Sequence, residues 1–520
     1  ERGPESEVIE PPPSGDSASS ASPVDASLLE EEDTIDAKLD SAAVSGESTD
    51  GDLGPVDPRE DDISTEGLEV LLPLNPRTHT LSPILLGGPD TFSGEVQVDL
   101  LGHTHTVLVH RGRGSLSIRL DDTEEESILI GAPYDTTLQV SATSRPIRSL
   151  EGQLSGDDLV WTSDADIELT GATRVAPGDT LTVHPDTRIM LHEKVNLEIS
   201  GALVVTGPAI FTQATEEAWG GVIITKGASA SLSEAWFLGG GGDASKSFGH
   251  SDSQPVIKAS SADLSMLGGG VLDSPGKAFG GYKANITLED LLISRCDTGG
   301  EFMQSKFVGS HLHVVEIPDA DAIPEDDDND GFYFVGVLEN ASPQASSLTH
   351  VVFSLGEDDA IDHNDALLKV DHAWIQGFAH EGIAASGGRS VEVSNSIITE
   401  CDQGIEAGYG DPMVSVSQSL LFNNRVGLRF GDAYDWSDNG RLEVSHSVSV
   451  LNSEANVLNL TDKGTAKADA ISIQCSMVDE SHFNNLEGNM AGLPSWHALN
   501  GCVDAPTCEG IALGPDTCSQ

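Results

Sequence analysis

The chain has 520 residues and carries 85 Asp and Glu against 26 Lys and Arg, a formal net charge of −59 at pH 7. A surface this acidic lacks the basic footprint that phosphate backbones and anionic lipids require, so nucleic acid and anionic membrane are excluded as partners. No apolar run reaches the ~18 residues of a spanning helix, so no membrane span is expected.

Residues 1–80 open the chain. As far as Gly67 they are dominated by Glu, Asp, Ser, Pro, Ala and Gly with almost no aromatic residue. Such a stretch buries too little apolar surface to offset the entropy of ordering it, and it reads as a disordered acidic tether. Residues 81–150 alternate apolar and polar positions in short runs, among them Val96-Gln97-Val98-Asp99-Leu100 and Ser115-Leu116-Ser117-Ile118-Arg119-Leu120, as a small β module would. From 151 to 475 short Val, Ile and Leu strands recur between Gly, Asp and Asn, and no helical period is present. Residues 476–520 read as a cap stapled by disulfides. Cys475, Cys502, Cys508 and Cys518 crowd this end in any of three pairings, which implies an oxidising, extracytoplasmic setting, either secreted or tethered to the cell surface. The start at Glu1 without a Met reads as a trimmed chain.

The long middle region is a repeat. Val370-Asp371-His372-Ala373-Trp374-Ile375, Val393-Ser394-Asn395-Ser396-Ile397-Ile398 and Val416-Ser417-Gln418-Ser419-Leu420-Leu421 are spaced by 23 residues. A second element recurs with them, ending on Ile361, Ile383, Ile405 and Leu428 at spacings of 22, 22 and 23. One period held by two elements defines a solenoid, and 22–23 residues suit a coil of three short strands and three bends. The fold class expected is therefore all-β, a right-handed parallel β-helix preceded by the acidic tail and the small module. Leucine-rich repeats compete on period alone, but their Leu-x-x-Leu-x-Leu pattern is absent.

Stacking in register converts the sequence into columns. One column holds Asn329, Asp358, His380, Asp402 and Arg425. The next holds Asp330, Asp359, Glu381, Gln403 and Val426, and a third holds Tyr333, Asp362, Ala384, Glu406 and Arg429. Bends favour Asp, Asn and Gly for backbone reasons, which accounts for part of this polarity. Asp358, Asp359 and Asp362 within five residues, with Asp330 and His380 a coil away, ask for more. Carboxylates so close raise one another's pKa or hold a cation. Cys296 and Cys401 share one column several coils apart, too far to bond, and are expected to be free buried thiols. His350, His372, Asn395, Gln418 and His446 recur at a single strand position and read as an outward polar ladder. Trp374, Trp436, Tyr409 and Tyr434 are expected near the acidic face, each packing in the core or at a bend or stacking on a sugar ring.

The period and columns resemble the pectin-lyase-like superfamily of parallel β-helices, over most of 154–470. Gly178-Asp179-Thr180-Leu181-Thr182-Val183 followed by Trp219-Gly220-Gly221-Val222 looks like the opening coils of many secreted bacterial members. Asn329-Asp330-Gly331, Gly356-Glu357-Asp358-Asp359 and His380-Glu381-Gly382 resemble, in order, the motifs of polygalacturonase-type inverting glycoside hydrolases. That resemblance implies a polysaccharide or cell-surface glycan as partner and Asp330, Asp358, Asp359 and His380 as catalytic residues, the carboxyls serving as acid and base and His380 orienting them. Asp362, Glu406, Arg425 and Arg429 would then contact substrate. The family's Thr is missing, Glu381 interrupts the His motif, and no Arg-Ile-Lys follows. A looser likeness connects the chain to uncharacterised bacterial surface β-helices, which imply a non-catalytic protein binding glycan, calcium or a protein partner.

Calcium is the competing reading of the same acids. Asp326-Asp327-Asp328-Asn329-Asp330-Gly331 fits Asp-x-Asp-x-Asp-Gly, the first half of a calcium loop, so Asp326, Asp328 and Asp330 are candidate ligands. The Glu expected at the twelfth position is replaced by Val337. A lyase using calcium with a basic residue would reconcile the two readings, but the nearby Lys306 and Lys369 carry no motif.

Overall fold

The computed structural model describes residues 67–120, 125–317, 329–338, 344–432, 438–460, 467, 470–474 and 476–478. Between Ile147 and Val478, 33 short strands join one continuous sheet whose pairings are parallel and link each strand to the one a coil further along. This is a parallel β-helix. Its interior is a single apolar column, in which Ile361, Ile383, Ile405 and Leu428 are all fully buried. Asp362↔Ala384, Ile383↔Ile405 and Ile405↔Leu428 are strand partners, so the repeat register is the hydrogen-bond register.

Each coil turns three corners, and a corner consists of one residue in the left-handed region. Glu234, Asp290, His311, His350, His372, Asn395, Gln418 and His446 form one such column, with φ between 49° and 56°. The polar ladder of the sequence is therefore a backbone column, enriched in the Asn, Asp and His that tolerate this conformation best. A second corner runs through Asp273, Arg295, Glu316, Leu355, Gly377 and Glu400, and a third through Ser261, Lys283, Gln304, Gly336, Asp365 and Gly387.

Before the solenoid lie seven antiparallel strands, β1 (Glu69–Leu71), β2 (Leu81–Gly87), β3 (Gly94–Leu100), β4 (His103–Val109), β5 (Arg113–Arg119), β6 (Glu125–Ile130) and β7 (Thr136–Ser141). They form two sheets, β1-β2-β5 and β4-β3-β6-β7, around a core of their own that includes Ile84, Val96, Val98, Ile118 and Ile128. The strand β1 lies ahead of the expected boundary at residue 80. Leu68, Val70 and Leu72 pack on the module core, and Leu74 inserts among outward residues of the solenoid. Period-two apolar residues from Leu68 to Leu74 are the physical reason. The parallel sheet likewise starts at Ile147, ahead of the expected 151.

The module rests on a row of outward-facing apolar residues, Ile210, Trp236, Leu238, Leu272, Leu292 and Val315, joined by Leu81 and Leu85. Arg188 pins the contact. It is almost wholly buried and donates to Thr80 Oγ1 at 2.8 Å, the Leu81 carbonyl at 2.9 Å and the Asn75 carbonyl at 3.1 Å. Cys296 and Cys401 are free and buried, in one column four coils apart, ~19 Å at ~4.8 Å per coil. Cys475, Cys502, Cys508 and Cys518, and with them the predicted cap, lie outside the described residues. Among the described residues no helix is long and apolar enough to cross a membrane.

Candidate functional site

The acidic face starts just past the second corner, where the chain bends from Leu355 toward the strand Ile361–Asn364. Backbone bonds hold its three columns together. The His380 N–H donates to the Asp358 carbonyl (3.2 Å), Gln403 to His380 (3.1 Å) and Val426 to Asp402 (2.9 Å). The Gly331 N–H donates to the Asp359 carbonyl at 2.7 Å. Tyr333, Asp362, Ala384, Glu406 and Arg429 are successive strand partners. Two residues before each member of this column, glycine recurs as Gly331, Gly382, Gly404 and Gly427, with Ala360 in one coil, because the next coil's backbone comes close. A Cβ on Gly331 would lie 2.4 Å from the Ala360 carbonyl oxygen, and one on Gly404 would lie 2.5 Å from that of Gly427.

Asp330, Asp358, Asp359, Asp362 and His380 come together. Carboxylate oxygens of Asp330, Asp359 and Asp362 lie within 4.8 Å of one another, as do ligand atoms of Asp358, Asp359 and His380. His380 Nδ1 is 2.6 Å from Asp358 Oδ1. That hydrogen bond raises the imidazole to about 9, so it is an imidazolium at neutral pH. Asp359 is buried and accepts the Glu381 N–H at 2.7 Å. Burial, with Glu381 and Asp358 beside it, pushes its carboxyl well above the usual range. Asp362 is half-buried at the edge of the cluster. Desolvation, reinforced by Asp358, raises it to about 8. Asp330 lies deepest, 2% exposed. Asp358 and Asp362 are therefore the carboxyls within reach of a ligand, and Asp330 and Asp359 support them from beneath.

Two coils on, Glu406 is buried and pairs with Arg429 at 3.1 Å. Burial and the nearby Glu381 hold its carboxyl well above the usual range. Arg429 also donates to Gln403 Oε1 at 3.1 Å. Arg425 grips Asp402 through two bonds of 2.6 and 2.8 Å and contacts Glu454. Both arginines are thus engaged by the protein's own side chains, which weakens the expectation that they receive a uronate. Between Asp362 and Glu406 the row carries only the small side chain of Ala384.

Some of the surroundings were not foreseen. Lys277 and Glu301 form a buried ion pair of 2.8 Å, and Glu301 also accepts the His250 N–H at 2.9 Å. The His250 ring stands 5.4 Å from that of Tyr333, next to Asp362 in the row. The loop bringing His250 here departs at Gly239–Gly242, a four-glycine run whose departure from the repeat was the available signal. Trp374 is not on this face. It stands on the strand after the first corner, with the Arg111 guanidinium 4.1 Å above its ring. Tyr409 does reach the acidic side, where its hydroxyl accepts from Asn364 at 3.0 Å. Asp326 and Asp328, like Tyr434 and Trp436, lie outside the described residues.

No protein-family model matches the chain, and no curated protein matches it. Among solved structures it is similar to the catalytic domain of GH87 alpha-1,3-glucanase in complex with nigerose, at 9% identity and a TM-score of 0.31, over 77% of this chain and 87% of that one. A variant of that catalytic domain in complex with tetrasaccharides is similar at 8% identity and a TM-score of 0.20, over 79% and 88% of the two chains.

Proposed function

We propose that the acidic row is a glycan-processing site that cleaves a glycosidic bond by general acid and base catalysis. One observation carries this reading: Asp358, 2.6 Å from the His380 imidazolium, shares a cluster through Asp359 with Asp362, whose carboxyl is raised by burial to about 8. Neighbouring carboxyls whose environments hold them in opposite states are what acid and base roles require. Asp362 donates its proton to the glycosidic oxygen as the carbon–oxygen bond breaks. Water attacks the anomeric carbon, and Asp358 takes the proton that this water loses. His380 orients Asp358 through their 2.6 Å contact, and burial together with Asp358 holds the proton on Asp362. A row running along the solenoid axis suits an extended polymer.

The test is release of reducing ends from a panel of polysaccharides by the full chain. Asp358→Asn should lower turnover about 10²- to 10⁴-fold. Turnover indifferent to Asp358→Asn and Asp362→Asn would sink the reading.

A second reading is favoured by the two converging ligand sets that share Asp359. A hard divalent cation such as calcium at Asp330, Asp359 and Asp362 would relieve their mutual repulsion. It predicts that calcium raises the melting temperature of the native chain and not of Asp359→Asn. It also predicts that calcium suppresses turnover, since an ion there displaces the proton of Asp362.

A further inference from the structure

A second polar cluster, outside the acidic row, lies where the module meets the first corner of the solenoid. His311, His350 and His372 stack there as parallel rings, with centroids 5.1 and 4.6 Å apart and planes within 13°. They edge a groove of about 450 Å³, and the module contributes Arg111, Arg113 and Asp90 to its other side. Parallel rings at this spacing do not converge on one ion, and among the described residues the sets that could hold a metal lie elsewhere.

Some donors of this groove are committed to protein acceptors and others are not. Arg113 pairs with Asp290, and His372 Nδ1 is 2.7 Å from Asp371. Asp371 is further occupied by Ser394 and Asn395, at 2.6 and 2.8 Å. The Arg111 guanidinium has no hydrogen-bond or ion-pair partner among the described residues, and neither does the ring of His311 or His350. In a chain with 85 acids and 26 Lys and Arg, an uncommitted guanidinium is conspicuous. This one is held in place over Trp374 and is partly desolvated, with only the exposed Asp90 acting on it. A preorganised guanidinium next to a ladder of ring edges is a receptor for oxyanions repeated along a ligand.

We propose that this groove binds an anionic glycan, its sulfate or carboxylate groups received by Arg111 and the His311–His350–His372 ladder, and that binding tightens as pH falls. With neutral rings the groove is close to balanced: Arg111 and Arg113 oppose Asp90 and Asp290, while Asp371 faces His372. Protonation of the ladder adds positive charge where the ligand's oxygens lie. His350 resists protonation in the free protein because burial and the two flanking histidines oppose it, and an arriving anion offsets that cost. Binding must therefore take up protons. His313, pushed down to about 3 by burial, donates its Nε2–H to the Arg111 carbonyl at 3.2 Å and does not titrate in this range.

The experiment is calorimetric titration of the full chain at pH 5 and pH 7.5 with three probes: an oligouronate, a sulfated oligosaccharide and a neutral oligosaccharide of equal length. At least one anionic probe should bind about tenfold more tightly at pH 5, with proton uptake visible as a dependence of the heat on the buffer's ionisation enthalpy. Which anionic probe binds identifies the oxyanion. Arg111→Gln should lose about tenfold in affinity. His350→Asn should remove most of the pH dependence and still fold, because Asn395 already occupies the same corner. Glycan turnover should be unchanged in both variants, and Asp358→Asn should bind normally, which separates this site from the acidic row. Equal binding of the neutral probe, or affinity unaffected by Arg111→Gln, overturns the proposal.

Discussion

Asp362 shows how much of this protein is written in single positions. Spacing alone placed it beside Tyr333 and Ala384, because one period fixes which residues share a column. Its raised pKa has a consequence for stability. The folded carboxyl titrates near 8 and the unfolded one near 4, so between these values the native state binds more protons than the unfolded state. Its stabilising contribution is thus complete below about pH 4 and is lost as pH rises through about 8. His380 acts in the same sense: raised to about 9, it contributes fully below the ordinary histidine value and loses that contribution as pH rises through 9. The melting temperature should fall steadily from pH 5 to pH 9, and Asp362→Asn should flatten the slope between pH 5 and 8. An equally steep slope in the variant would show that this carboxyl does not hold its proton. What a residue's place in the repeat does not reveal is its surroundings outside the repeat. Trp374 stands on the strand after the first corner, where Arg111 of the module lies over its ring, and His250 reaches Tyr333 from a loop that the period skips.

At the level of elements, the corners explain why the repeat has its particular residues. Each left-handed turn points a backbone N–H of the following residue away from the strand ladder. Buried serines collect these donors coil by coil. Ser419 Oγ accepts the Ser396 N–H at 3.2 Å and donates to the Ser417 carbonyl at 2.8 Å, while the Ser419 N–H goes on to Ser447 Oγ at 3.2 Å. Ser447 repeats the arrangement with Ser476. The signal was present as Ser394-Asn395-Ser396, Ser417-Gln418-Ser419 and Ser445-His446-Ser447, although only the middle residue drew attention. That residue is visible because it varies among polar types, whereas the second Ser hides because its partner belongs to the next coil. Removing one rung should strand a buried N–H, so Ser419→Ala should cost about 1–3 kcal/mol in urea unfolding. Ser417→Ala, whose carbonyl and not its hydroxyl serves the ladder, should cost less than about 0.5 kcal/mol. Equal losses would mean that the ladder is incidental.

The whole molecule depends on a contact that no periodicity encodes. The solenoid would be expected to show polar residues outward, yet Ile210, Trp236, Leu238, Leu272, Leu292 and Val315 face outward along one side and are covered by the module. Outward apolar residues in successive coils were the legible sign that something docks there. What docks was not legible, since the acidic composition of residues 1–80 masks the short apolar run from Leu68 to Leu74. Arg188 is the polar centre of this contact. Burial and the neighbouring Arg77 lower its guanidinium to about 9, and three oxygens on the module side hold it. Arg188→Leu keeps the apolar volume but leaves the Asn75 and Leu81 carbonyls without this donor, which should weaken docking by about 3 kcal/mol. The module keeps its own core and the solenoid its stacked interior, so the loss should be local. Hydrogen exchange should quicken at β1 and β2 and at the outward row around Trp236 and Leu272, while the interior strands at Ile383–Ile405 stay protected. Because Arg111 reaches the histidine groove only from a docked module, the same variant should also weaken anionic glycan binding at pH 5. If exchange and binding are both unchanged, Arg188 is a tolerated buried charge and the apolar row alone holds the module.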